Sequence, residues 1–235
     1  MSIVICQSYL HFYKKLCYTV FMTKAEIRKE IKTRINAMSE AERKIHSLSI
    51  CNSILTSQDY LLSTTLLAYM PLPDEADVTP VIQDALAKGK KVFLPRITPG
   101  TSSMEFYHYD ADTNTQKGAF GITEPAADER QSFTKFLEQL ALQQYSPAAH
   151  SSDFVEIEEH NQPEERILVL VPGRAFTKDG RRLGRGKGFY DIYFSKIPLV
   201  FKIKKSGVCF ACQILADLPT TPDDIMMDSV FSSKS

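Results

Sequence analysis

The densest run of residues able to do chemistry is PGRAFTKDGRRLGRGKGFYD, Pro172 to Asp191. Its six bases (Arg174, Lys178, Arg181, Arg182, Arg185 and Lys187) face two acids, Asp179 and Asp191. Gly184, Gly186 and Gly188 alternate with Arg185 and Lys187, so backbone amides can approach an anion unobstructed by side chains. Phe189-Tyr190-Asp191 reads as the opening of a helix, whose N-terminus adds partial positive charge. Clustered cations and bare amides suit a polyphosphate that must be held and neutralised. Two common phosphate motifs are excluded. Five residues separate Gly180 from Gly186 where a P-loop needs four, and Gly188 stands where that motif has a magnesium-binding hydroxyl. The dinucleotide fingerprint fails because the glycines run Gly-x-Gly-x-Gly. An RNA-binding patch over Arg181 to Lys187 is the rival reading. Such segments usually repeat, whereas this one is single and follows a core strand.

The elements that must position this loop can also be read. Ile167 to Val171 (ILVLV) precedes it and reads as a buried strand, and ligand sites in α/β sheets lie beyond the carboxyl ends of such strands. Ile27, Ile31 and Ile35 recur every four residues and predict a helix from Thr23. Ser39 and Glu42 have capping-box spacing, with Ile45, Leu48, Ile54 and Leu55 read as the apolar face of a second helix. Leu66 to Met70 is a strand by length. Thr79-Pro80 opens a helix that Gly89 ends. Val92 to Pro95 and Met104 to Tyr109 are further strands, and a helix is expected over Ser132 to Gln144. This alternation predicts an α/β fold, a Rossmann-like three-layer sandwich with a mostly parallel sheet and helices on both faces.

Composition narrows the function classes. The 235 residues are 43% hydrophobic and 24% charged, which excludes a disordered chain. The 28 bases balance the 28 acids, so net charge gives no argument for nucleic acid or a membrane. Five cysteines make no disulfide framework and favour a reducing, cytoplasmic setting. Cys209-Phe210-Ala211-Cys212 lies in an apolar run without a second ligand pair and is read as core. No stretch approaches the ~20 apolar residues of a membrane span. The opening residues lack the layout of a secretory signal, and Met22-Thr23-Lys24 reads as a start. Residues 1–22 are therefore expected to be an extension, a start-site artefact or else a short local addition with a packing role, and 23–235 a single domain. From Glu124 to Glu165 ten acids oppose two bases, so an acidic insertion is expected over 126–165, its latter part a solvated loop.

The Pro172 to Asp191 run resembles the signature of 5-formyltetrahydrofolate cyclo-ligase, also called 5,10-methenyltetrahydrofolate synthetase. Lys24 to Arg28, Pro73-Asp74-Glu75, Phe93-Leu94-Pro95-Arg96, Gly121 to Pro125 and Leu218 to Val230 follow in family order. The resemblance implies an ATP-dependent enzyme that closes 5-formyltetrahydrofolate to 5,10-methenyltetrahydrofolate, releasing ADP and phosphate. It implies ATP ligands at Lys24, Arg28, Arg182, Gly184, Arg185, Gly186, Lys187, Gly188, Phe189 and Tyr190, with Lys187, Arg185 and Tyr190 at the reacting centre. Glu75, Phe93, Met104 and Tyr190 would hold the folate, and Asp191 and Asp228 would hold magnesium. A monomer is expected, with small-molecule substrates, no nucleic acid and no membrane partner. Three features depart from the family pattern: Arg174 replaces a small or apolar residue, Phe189 replaces a tyrosine, and the acidic stretch is longer than usual. A folate- or nucleotide-binding paralogue without turnover is the alternative that Arg174 and the acidic stretch leave open.

Overall fold

The computed structural model describes residues 22–118, 123–144 and 165–233. Residues 1–21 of the N-terminal extension, the latter part of the acidic insertion and Gly121-Ile122 lie outside the described residues. Met22 packs against the core. Helix α1 (Lys24–Asn36) starts in a capping box between Thr23 and Glu26 and buries Ile27, Ile31 and Ile35. Helix α2 (Glu40–Leu55) starts in the expected box of Ser39 and Glu42.

The buried face of α2 differs from the expected one. Ile45 and Leu48 are 65% and 53% exposed, while Ser47, Ile50, Cys51 and Ile54 are buried. Two contacts set this rotation: the Asp77 amide donates to Ser47 Oγ at 3.0 Å, and Cys51 Sγ donates to the Asp77 carbonyl at 3.1 Å.

Next come α3 (Gln58–Leu62), β1 (Thr65–Leu67), α4 (Thr79–Ala87) and β2 (Lys91–Ile97). Strand β1 is shorter than expected. Helix α4 has Pro80 in its first turn, and Gly89 follows it at φ +70°. Strand β3 (Met104–His108), the short hairpin β4 (Thr115–Lys117) and β5 (Thr123–Pro125), and helix α5 (Phe133–Gln144) lead to β6 (Ile167–Pro172). Beyond it are β7 (Ala175–Thr177), β8 (Arg182–Leu183), α6 (Phe189–Phe194), β9 (Ile203–Cys209), β10 (Ile214–Leu215) and β11 (Ser229–Ser232).

The central sheet has the order β11-β9-β6-β1-β2-β3, all parallel except β3. Alternation along the strands separates two cores. Leu66, Val92, Leu94, Leu168, Leu170 and Val208 pack with α1, α2 and α4 on one face. Leu67, Phe93, Val169, Val171 and Cys209 pack with Phe133 and Leu137 of α5 and Tyr193 of α6 on the other. This is the expected three-layer architecture. The sheet order reverses between β1 and β6, and a crevice opens at such a switch point beyond the strand ends.

Candidate active site

A cavity opens at this switch point, where small-molecule sites of such sheets lie. Tyr69, Met70, Leu72 and Glu75 line it from the loop after β1, Pro95 and Ile97 from the end of β2, Met104 from β3 and Glu124 from β5. Pro172, Arg182, Gly184, Arg185 and Lys187 to Asp191 close the other side. The glycine-rich loop and the Pro-Asp-Glu loop, about 110 residues apart in sequence, thus meet at one mouth.

The contact is ionic. Arg185 donates from Nε to Glu75 Oε1 at 2.9 Å and from Nη2 to the same oxygen at 2.8 Å, and also pairs with Asp74. Glu75 Oε2 accepts the Leu72 amide at 3.0 Å, which orients the carboxylate towards the cavity rim. Lys187 is exposed at the lining and has no ion-pair partner among the described residues. Gly186 and Gly188 have φ of +102° and +67°, values that side-chain-bearing residues rarely adopt, and Gly188 is the N-cap of α6. Arg28 lies behind the loop. Its Nε donates to the Gly184 carbonyl at 2.8 Å, and a Cβ on Gly186 would lie 3.4 Å from its guanidinium carbon.

Arg182 is buried where it was expected to meet phosphate. Nε donates to the Pro172 carbonyl at 3.0 Å and Nη1 to Asp191 Oδ1 at 3.1 Å, while the guanidinium stacks 5.2 Å from the Tyr190 ring centre. Burial works against its charge and Asp191 opposes that effect. Burial, then the nearby Glu75 charge, push the Tyr190 hydroxyl well above its usual value. At neutral pH that hydroxyl is a proton donor in hydrogen bonds, not a base.

Three expected residues sit elsewhere. Phe93 does not line the cavity: it is 3% exposed and packs edge-on against Phe133, ring centres 5.2 Å apart. It is on the cavity's face of β2 but lies too early along the strand. Pro95 and Ile97, the next two on that face, reach the cavity, and each step of two residues advances about 6.6 Å. Asp228 is also outside the lining; its Oδ2 accepts the Lys205 amide at 2.7 Å. Lys24 pairs with Asp224 at 2.6 Å, again away from the lining. Among the described residues, no three His, Cys, Asp or Glu side chains form a metal cage. Glu124, 2% exposed at the lining, stands in the sequence only as a marker of order. A buried acid before proline was the available signal.

A sequence model of the 5-formyltetrahydrofolate cyclo-ligase family matches residues 20–142 and 148–233. The chain belongs to that family. A probable 5-formyltetrahydrofolate cyclo-ligase of Caenorhabditis elegans is 27% identical over 213 residues, 88% of this chain and 91% of that one. The 5-formyltetrahydrofolate cyclo-ligase of Mus musculus is 26% identical, with 92% and 97% covered. A solution structure of Aquifex aeolicus 5,10-methenyltetrahydrofolate synthetase superposes with a TM-score of 0.66 at 28% identity, covering 91% of each chain. Two details of this cyclo-ligase family member bear on the RNA reading. Arg181 is tied to Asp179 at 3.1 Å and to Asp217, and Arg182 is buried, so the basic run does not present a continuous exposed stripe. Cys209 is buried, and burial pushes its thiol up, as a core role requires. Among the described residues no helix is long and apolar enough to cross a membrane.

Proposed function

We infer that the chain catalyses the reaction of its family, the ATP-dependent cyclisation of 5-formyltetrahydrofolate to 5,10-methenyltetrahydrofolate. The observation that carries the reading is the junction of two opposite chemistries at one mouth: the Arg185-Gly186-Lys187-Gly188 loop against the Glu75 loop, above an apolar slot. The slot suits a flat ring. Tyr69, Met104, Pro95 and Ile97 supply its walls, and Glu75 accepts hydrogen bonds from the pterin. Lys187, Arg185 and the loop amides face the triphosphate, with Arg28 bracing the loop from behind.

In the first step the formyl oxygen attacks the γ-phosphorus and ADP leaves. N10 then attacks the activated carbon, a proton is lost, and phosphate departs to leave the methenyl bridge. Lys187 stabilises charge on the transferring phosphoryl group, the kind of term that dominates such reactions. The Tyr190 hydroxyl donates a hydrogen bond at the reacting centre. A magnesium ion carried by the nucleotide would neutralise phosphate charge, and Asp191 fits as a single carboxylate ligand, since magnesium commonly keeps phosphate oxygens and water for the rest. Asp228, which lies outside the cavity lining, is not part of that assignment. The reading includes a monomer, and a cytoplasmic setting that the free Cys51, Cys209 and Cys212 suit.

The test is the absorbance of methenyltetrahydrofolate after mixing protein, magnesium and 5-formyltetrahydrofolate, with and without ATP. Formation only with ATP is expected. Binding of both ligands without product would favour a non-catalytic paralogue, and salt-sensitive RNA binding that ATP does not compete would favour the basic-patch reading.

A further inference from the structure

We propose that Arg174 is a positioning residue for nucleotide binding: it gives Asp74 a standing counter-charge, so that Arg185 can leave Asp74 for the phosphates. The proposal rests on the function inferred for the site, in which Arg185 serves the triphosphate and Glu75 the folate. In the structure Arg185 and Glu75 are bound to each other.

The side chains form a continuous chain of contacts. Asp74 Oδ2 accepts from Arg174 Nη1 at 2.5 Å, and Asp74 Oδ1 accepts from Arg185 Nη2. Arg185 continues to Glu75, and Glu75 to the Leu72 amide. Two cations thus face two carboxylates, and Arg185 is shared between both acids. Arg174 is fixed where it stands. It lies between β6 and β7, its amide donates to the Leu183 carbonyl at 2.7 Å, and its carbonyl accepts from Gln213 Nε2 at 3.1 Å. Its side chain is only 12% exposed.

When phosphate takes Arg185, folate donors can replace it on Glu75, but no ligand group in this reading faces Asp74. A half-buried carboxylate stripped of its partner is costly, which would hold Arg185 back. Arg174 removes that cost by remaining on the other oxygen. A small or apolar side chain at this position could not do so.

The experiment compares steady-state kinetics of the full-length protein with Arg174→Met, Arg174→Lys, Asp74→Asn and the double variant Arg174→Met/Asp74→Asn. Arg174→Met should raise the KM for ATP about tenfold, the usual scale for one charge-assisted contact, with kcat and the folate KM within about twofold. Arg174→Lys should stay near wild type. Adding Asp74→Asn to Arg174→Met should bring the ATP KM back to within about threefold of wild type, since an amide no longer holds Arg185. An unchanged ATP KM in Arg174→Met overturns the proposal. So does a double variant worse than the single one, which would mean that Arg174 touches ATP itself or only supports the fold. If Arg174→Met fails to fold, the Asp74→Asn single variant decides: an ATP KM at or below wild type supports the proposal, and a raised one overturns it. Absence of ATP-dependent product from the wild-type protein would instead remove the reading on which the proposal rests.

Discussion

One wall of the cavity is a single run of chain, Arg182 to Asp191, in which Arg185 and Lys187 alternate with glycines. The other is assembled from Tyr69, Glu75, Pro95, Ile97, Met104 and Glu124, which arrive from the loop after β1 and from β2, β3 and β5. The first wall gets its geometry from local backbone: positive φ at Gly186 and Gly188, and Arg28 held behind. The second gets its geometry from strand register, so a residue's role depends on how far along its strand it lies. Phe93 and Ile97 share a face of β2, yet one is core and the other touches the cavity. A local wall carries chemistry, and an assembled wall carries shape.

The sharpest way to break this contrast is Phe93→Ala. Removing a fully packed ring should cost about 3–5 kcal/mol of stability, read as a lowered denaturant midpoint. The folded fraction should keep its folate KM, because the ring lies below the slot. A raised folate KM at unchanged stability would return Phe93 to the site. Next in size is Lys187→Met. Its side chain is exposed and unpaired, so folding should be unaffected while kcat falls ~10²–10³-fold, or about 3–4 kcal/mol of barrier. A folded variant with a kcat within about threefold of wild type would take Lys187 off the catalytic list. Met104→Ala tests the assembled wall from the other side: about a tenfold rise in folate KM, with the ATP KM unmoved, as one lost apolar contact implies.

The smallest expected effect is on acid stability. Burial alone would raise Asp74, Asp224 and Glu165, but hydrogen bonds outweigh it: from Arg185 and Arg174 on Asp74, from Lys24 on Asp224, and from Thr65 and Thr64 on Glu165. All three ionise below their usual range. A carboxyl lowered by folding stabilises the native state fully above its unfolded value, near 4, and loses that contribution as pH falls through the lowered one. Thermal unfolding should therefore be level from neutrality to about pH 5 and decline only below about pH 4. A decline already at pH 6 would contradict these ion pairs.

The contiguous wall was legible because its spacing is its geometry: glycines two apart in sequence are two apart in the loop. The parallel sheet was legible for the same reason, since ILVLV can only be a strand buried on both faces. What escaped the sequence depends on distant partners. The rotation of α2 is set by Ser47 and Cys51 meeting the backbone of Asp77, which no hydrophobic pattern records. Whether Phe93, Pro95 or Ile97 meets the cavity depends on where β2 stops relative to β1, and β1 proved to be only three residues long. Asp228 belongs to the same class: its position at the foot of β11 is fixed by pairing with β9, and there the Lys205 amide takes its carboxylate.

The loop that carries Glu75 is tied at both ends. The buried Tyr69 hydroxyl donates across it to the Ala76 carbonyl at 2.8 Å, the Glu75 amide donates to the Leu72 carbonyl at 2.9 Å, and Asp77 is fastened to α2. Its ordering entropy is therefore spent when the protein folds, before any ligand arrives. The acid side of the cavity then behaves as a fixed stop, and in the proposed reading the rearrangement falls on Arg185 opposite. In hydrogen exchange, the Leu72 and Glu75 amides should report the opening of the whole domain, with ligands adding little to their protection.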